Sequence, residues 1–299
     1  LAQVRIVTDS AARFEDPAIV TQYGVEIVPL NIHFGSQTLL DGVDLDSQDM
    51  FQRMRHGSVT PTASAPPVAR FERLFEALNR TTDQICVLSH SRRLTDTWDN
   101  AQAARASLLG RCEIAVIDSQ TTSAALGILV EETAKAAEHG VPLEEVVRIA
   151  HGIIPRLYCV YYVETLDYLR RAGLVGEAQA ILGTMLGVKP FLTIENGELI
   201  TMEKVRNRSQ TIDRLVEFVA EFVSIERLII LQNTPRITEQ TRLLQDRLMM
   251  QCADLNSPVM LYEPLLATMI GPDGMGVVVY EGVEDDTPRH GTGFDGLIA

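Results

Sequence analysis

The chain has 299 residues, of which 46 % are apolar and 22 % charged, and a net charge of −14 from 26 basic and 40 acidic side chains. That length admits one large domain or two ordinary ones with a sizeable core, and the acidic balance argues against nucleic acid or an anionic lipid surface as a partner. No apolar run reaches the ~18 residues of a membrane span and no basic-then-apolar leader opens the chain, so a soluble, cytoplasmic protein with at most transient membrane contact is expected.

Residues 4–7 (VRIV) have the β-branched texture of a buried strand, and it stops at Thr-Asp-Ser. A second strand is expected at 25–30 (VEIVPL). A hairpin is expected at 33–42 (HFGSQTLLDG), with Gly35 and Ser36 in its turn. Residues 58–67 (SVTPTASAPP), rich in hydroxyls and prolines, predict a loop or linker. Amphipathic helices at 67–78 and 95–108 alternate with strands at 85–88 (ICVL) and 113–117 (EIAVI), the pattern of parallel strands joined by crossover helices. The first and last of these strands both run into Asp-Ser, as Asp9-Ser10 and Asp118-Ser119. At the carboxyl ends of parallel strands such groups face a ligand crevice. Serines there serve equally well as caps of the turns that follow.

From about residue 151 the texture changes. A strand at 157–163 (LYCVYYV) is followed by helices at 166–171 and 177–186. Strands at 189–194 and 198–202 flank Glu195-Asn196-Gly197, a favoured tight-turn sequence. Then come a helix at 209–222, a strand at 227–231, a helix at 238–250, a strand at 258–262, a glycine-rich loop and a strand at 276–280. Hairpins mixed with crossovers predict a mixed sheet. The expected fold class is α/β in two domains. An N-terminal three-layer, Rossmann-like parallel-sheet domain covers 1–153 and a C-terminal mixed-sheet domain covers 154–283. The polar, glycine-rich tail at 284–299 is expected to be disordered.

Cys86, Cys112, Cys159 and Cys252 show no CxxC spacing, and the first three lie in apolar runs, as expected of buried thiols in a reducing compartment. The six histidines are scattered without metal spacing. GxxxxGK[ST], GxGxxG and GxSxG are all missing from the sequence. No metal, cofactor or catalytic nucleophile is expected. What remains is a set of hydroxyls on loops: Ser10, Thr62, Ser64, Ser91, Thr95, Thr97, Ser119 and Ser123. Without a paired base such groups are not nucleophiles, but each can donate to an anionic head group, at about 1.5–3 kcal/mol per bond. Residues 268–282 (TMIGPDGMGVVVYEG) form a glycine-rich stretch whose first reading is a phosphate cradle.

The blocks VTDSAARF, VPLNIHFG, LLDGVDLD, VIDSQTTSAALGILV and VETLDYLRRAGLVGEAQAILGTMLGVKPFLTIENGEL, the last followed by KVRNR, occur in that order. With them the chain resembles the DegV family of bacterial fatty-acid-binding proteins over residues 4–282. The resemblance implies the family's EDD-type fold, two α/β domains with a long-chain fatty acid such as palmitate in an apolar inter-domain tunnel. The carboxylate is implied to lie near hydroxyls of the N-terminal domain. A non-catalytic carrier is implied, presenting the acid to a separate ATP-dependent fatty-acid kinase.

The family's Thr-Ser-x-Pro loop falls on Ala63, Ser64, Ala65 and Pro66, so that Thr62 and Ser64 flank an alanine. Its Ser-Ser-x-Leu-Ser-Gly-Thr run falls on residues 91–97, which sets Thr95 at a head-group serine, Asp96 at a glycine and Thr97 at the closing threonine. Arg206 matches a basic position after the Lys-Pro hairpin. The 268–276 segment matches Thr-His-x-Gly-Pro-Gly-x-x-Gly, with Thr268 and Gly271 retained and Met269 in place of histidine. The phosphate reading of that loop thereby gives way to one wall of a lipid head-group site. With Ser119 and Ser123 these are the lipid-binding residues expected. Two alternatives stand beside this reading: a phosphotransferase related to dihydroxyacetone-type kinases, and a carrier of a different amphiphile.

Overall fold

The structure, a computed structural model, describes residues 3–177, 185–187, 189–205, 208–251 and 255–283. Arg206, Cys252, the expected tail at 284–299 and most of the helix expected at 177–186 lie outside the described residues.

In the first half the elements run β1 (Arg5–Asp9), α1 (Ala18–Gln22), β2 (Glu26–Val28), β3 (Asn31–Phe34), β4 (Gln37–Leu40), α2 (Ser47–His56), β5 (Thr62–Ser64), α3 (Val68–Leu78), β6 (Gln84–Ser89), α4 (Thr97–Arg105), β7 (Glu113–Asp118), α5 (Ser123–Glu138) and α6 (Leu143–Ile153). Strands β2-β1-β6-β7 pair in parallel in that order. Their side chains alternate between two cores. Val7, Ile85, Val87 and Ile114 pack with Phe71 and Phe75 of α3 and Ala101 and Ala104 of α4. Ile6, Cys86, Leu88 and Ile117 pack on the opposite face with α5 and α6. Burial on both faces is why these strands read as continuous apolar runs rather than alternating ones. The result is the three-layer arrangement expected.

The hairpin forms as predicted, β3 pairing with β4 around Gly35 at φ +61°. The segment at 58–67 departs from its reading as a loop. Thr62–Ser64 form a strand antiparallel to β3, with Thr62 opposite His33 and Ala63 opposite Ile32. Pro61 and Pro66 bracket the strand without interrupting it, so the ladder asks for neither missing N–H, and β5 is an edge strand.

The second half contains β8 (Leu157–Tyr162), α7 (Asp167–Arg171), β9 (Lys189–Glu195), β10 (Glu198–Val205), α8 (Arg208–Ala220), β11 (Ile225–Gln232), α9 (Glu239–Gln251), β12 (Val259–Leu261), α10 (Pro264–Ile270) and β13 (Met275–Glu281). The described strands form one mixed sheet in the order β10-β9-β8-β13-β11-β12, with β11 and β12 parallel and the other neighbours antiparallel. Asn196 (φ +50°) and Gly197 (φ +83°) turn the β9–β10 hairpin. Two successive positive φ angles are what a type I′ turn requires and what Asn-Gly accepts. The helix at α10 was not foreseen: Thr268, Met269 and Ile270 are its last turn and not part of a loop.

One face of this sheet packs with α8 and α9 through Val160, Tyr162, Phe191, Leu215 and Leu244. The other contributes Cys159, Tyr161, Leu192, Leu231 and Val278 to the same core as α5. Helix α5 thus lies between the two sheets and is buried around its circumference from Ser123 to Glu131. A Cβ on Gly127 would sit 1.8 Å from the Arg13 carbonyl oxygen, so only glycine permits this approach. Arg227 of β11 closes the seam by pairing with Glu131 of α5 (2.6 Å) and Glu15 (3.1 Å). Among the described residues no helix is long and apolar enough to cross a membrane.

Candidate functional site

The loops after β1, β6 and β7 meet at the carboxyl edge of the parallel sheet. Asp9 is buried there. Its Oδ1 accepts from the Ala11 N–H (3.0 Å) and its Oδ2 from the His90 N–H (2.9 Å). Ser10 donates to Asp41 Oδ2 (2.7 Å) and accepts from the Leu30 N–H (3.0 Å). Burial pushes the Asp41 carboxyl up, against the opposing pull of Arg13 and the Ser10 hydroxyl. The first Asp-Ser pair therefore ties loops together from within. In the second pair, Ser119 accepts from the Thr121 N–H (3.2 Å) and donates to its carbonyl (3.3 Å), the local turn-closing role of a serine cap.

His90 is fully buried at the end of β6. Its Nε2 lies 2.8 Å from Thr95 Oγ1, and Thr95 Oγ1 lies 2.8 Å from Thr97 Oγ1. Its Nδ1 lies 2.9 Å from Asp9 Oδ2, an ion-pair distance, although the ring N–H is not aligned for a hydrogen bond. The loop is held from outside as well. Ser91 donates to the Gly197 carbonyl in the β9–β10 turn (2.7 Å), and its N–H binds the Thr121 carbonyl (2.8 Å). Asn100 of α4 donates to the Pro66 carbonyl (2.8 Å), which brings the 62–66 and 95–100 segments together. Asp96 is exposed and its side chain does not cap α4. Arg92 stacks on Trp98 at 4.2 Å and pairs with Asp99 at 3.1 Å.

Strand alternation sorts the β5 residues. Ala63 shares a face with Ile32 and packs against the core. Thr62 and Ser64 share the other face, with His33, whose Nε2 is 2.8 Å from Ser64 Oγ. Their hydroxyls therefore stand on the side opposite Ala63.

Ser123 opens α5 at φ +57° and its buried hydroxyl has no hydrogen-bond partner. It adjoins Glu263, the fully buried N-cap residue of α10. Glu263 Oε1 accepts from the Thr122 hydroxyl (2.7 Å), while Oε2 is unpartnered. Burial raises the Glu263 carboxyl above its usual range, and the nearby Ser123 and Thr122 hydroxyls and Arg13 oppose that rise. Ser123 is close enough to act electrostatically without the alignment of a hydrogen bond.

In the glycine-rich segment Thr268 returns its hydroxyl to the Leu265 carbonyl (2.7 Å), and Met269 packs half-buried on the core. The Gly271 N–H binds the Ala267 carbonyl (2.9 Å), its carbonyl accepts from Tyr262 (2.8 Å), and the Gly274 N–H binds the Tyr262 hydroxyl (3.1 Å). With both N–H groups committed internally, the first reading as a phosphate cradle does not hold.

Between the halves lies a cavity of about 810 Å³, whose walls include Trp98, Ser119, Thr121, His151, Tyr158 and Phe218. Its size is in the range of small-molecule sites. Of the expected lipid-binding residues that are described, Ser119 alone lines it.

The family profile described as "Uncharacterised protein, DegV family" matches residues 3–282. The chain belongs to the DegV family. A DegV domain-containing protein of Caldanaerobacter subterraneus subsp. tengcongensis is 33 % identical over 219 residues, covering 73 % of this chain and 77 % of that one. The crystal structure of a fatty acid binding DegV family protein from Streptococcus agalactiae superposes with a TM-score of 0.84 at 21 % identity, over 95 % of this chain and 100 % of the other. A DegV family protein from Thermus thermophilus, described by its fatty acid binding, superposes at 0.80 with 25 % identity, over 94 % and 100 %. The mixed α/β architecture is thus that of DegV structures. In this DegV chain the residue that sequence reasoning passed over is His90. It was set aside with the other histidines for lack of metal spacing. The available signal was its place at a strand end, five residues before Thr95.

Proposed function

We propose that this DegV protein carries a long-chain fatty acid in the seam between an N-terminal domain (1–153) and a C-terminal domain (154–283). What supports the reading most is kinship with the Thermus thermophilus protein, taken with the character of the seam. Half-buried Ala63, Leu94, Tyr168, Ile194, Met260 and Met269 pack on the core shared by both sheets. An acyl chain of about fifteen methylenes buried at ~0.8 kcal/mol each contributes roughly 12 kcal/mol gross. Lost motion and chain ordering remove several kcal/mol of that. Binding strength then comes from the tail, and the head contacts set orientation.

In this reading the carboxylate lies near Thr95, Thr97 and the first turn of α4, whose N–H groups favour an anion. The protein works in the cytoplasm as a carrier, and a partner kinase receives the exposed head. Saturable uptake of labelled palmitate by the delipidated protein is the test. Failure to take up any long-chain acid would overturn the proposal.

A further inference from the structure

Asp9, His90 and Thr95 stand in the order acid, imidazole, hydroxyl, with contacts of 2.9 Å and 2.8 Å. They come from the ends of two adjacent parallel strands, β1 and β6, and from the loop after β6. Nothing in the carrier function requires a buried histidine between a buried carboxylate and a half-buried hydroxyl. A hydroxyl becomes a nucleophile when a base lies within hydrogen-bond reach and a third group orients the base. That constellation is recognised by geometry, and its bonds are often imperfectly aligned before substrate binds. The Thr97 N–H, first in α4, already donates to Thr95 Oγ1 (3.3 Å), and the next first-turn N–H groups, those of Trp98 and Asp99, are not capped by the Asp96 side chain. They can donate to an oxyanion formed at Thr95.

We propose that this site hydrolyses activated long-chain acyl esters or thioesters, with Thr95 as nucleophile, His90 as general base and acid, and Asp9 as the positioning residue. The substrate class rests on the acyl ligand proposed above. Thr95 Oγ1 attacks the acyl carbon as its proton passes to His90 Nε2. The tetrahedral oxyanion collapses, the bond to the leaving alcohol or thiol breaks, and His90 returns the proton to the leaving atom. Water, deprotonated by the same imidazole, then attacks the acyl-Thr95 ester, releasing a fatty acid and restoring the threonine hydroxyl. The product would be the acid that the seam carries.

The same contacts could serve only to brace the loop, and turnover separates the two roles. The full chain is incubated with p-nitrophenyl palmitate and p-nitrophenyl acetate, and the quenched protein is mapped by peptide mass spectrometry. Expected are p-nitrophenol release and an acyl adduct on the peptide containing Thr95. Thr95→Val should abolish both and Thr95→Ser should retain turnover. His90→Gln, which can still hydrogen-bond Thr95, should lower kcat by about 100-fold or more. Asp9→Asn should lower kcat while leaving KM unchanged, because a misoriented imidazole slows the chemical step without removing a substrate contact; an unchanged kcat in the folded variant would overturn the role of Asp9.

Hydrolysis that persists in folded Thr95→Val, or its absence in the unmodified protein while palmitate still binds, overturns the proposal and leaves the carrier reading intact. Thr95-dependent hydrolysis of the acetate ester without any binding of palmitate overturns the lipid reading and the long-chain specificity with it, while the triad stands.

Discussion

Gly271 offers a direct test of why the glycine-rich segment is built as it is. Its backbone sits at φ +85°, ψ 179°, a region that only glycine occupies freely. Alanine there costs about 1–3 kcal/mol in backbone strain. A Cβ would also lie 2.6 Å from Tyr168 Cδ2, 3.0 Å from Cε2 and 3.2 Å from Cγ, so the ring on α7 must move. Overpacking of that kind adds about 1–3 kcal/mol. Gly271→Ala should therefore destabilise by about 2–6 kcal/mol, read as a lower urea midpoint at unchanged slope. Combining it with Tyr168→Ala should recover the steric part and leave the backbone part, giving a coupling of about 1–3 kcal/mol in a double-mutant cycle. A Gly271→Ala protein within 0.5 kcal/mol of the unmodified one would refute this reasoning. Lost fatty-acid binding at unchanged stability would instead make the glycine a direct ligand contact.

Gly197→Ala should destabilise by about 1–3 kcal/mol, since its Cβ would fall 2.4 Å from Ser91 Oγ at a φ of +83° and displace the bond joining the hairpin turn to the 91–97 loop; denaturant unfolding reads it. Glu263→Gln should leave stability unchanged at acid pH and raise it at neutral pH. The folded state holds the Glu263 proton above the ordinary carboxyl value of 4.5, so stability is full below that value and falls as pH rises through the window up to the raised one. Urea midpoints across that range should slope less in the variant, and parallel curves would contradict the buried placement of this carboxyl. Met269→His should tighten palmitate binding by placing a donor at the end of α10, and an unchanged dissociation constant in a fluorescence competition assay would remove this position from the head-group site.

Strand and hairpin positions were legible because burial and turn chemistry are local. The two-faced burial of β1, β6 and β7 appears directly as apolar runs, and Asn196-Gly197 marks its own turn. Strand β5 was hidden by its prolines, whose positions outside the paired residues only the register reveals. Helix α10 was hidden by the glycines that follow it, although Pro264 at its first turn is a fair start signal. At the site, hydroxyl positions could be read but their partners could not. Asp9 and His90 are 81 residues apart, and no spacing rule links them until β1 and β6 pair. Ser10 read as a crevice residue because its acceptor, Asp41, comes from a different loop. Thr62 and Ser64 read as neighbours that could stand in for Ala63, whereas pairing with β3 turns them to the other face.

Fatty-acid carriage is tested most directly by native mass spectrometry of the purified protein, followed by solvent extraction and analysis of whatever it holds. The expected result is a mass increment equal to one long-chain fatty acid on most molecules, lost on extraction and recovered as the free acid. A protein that is isolated ligand-free and stays so in the presence of excess palmitate would contradict it.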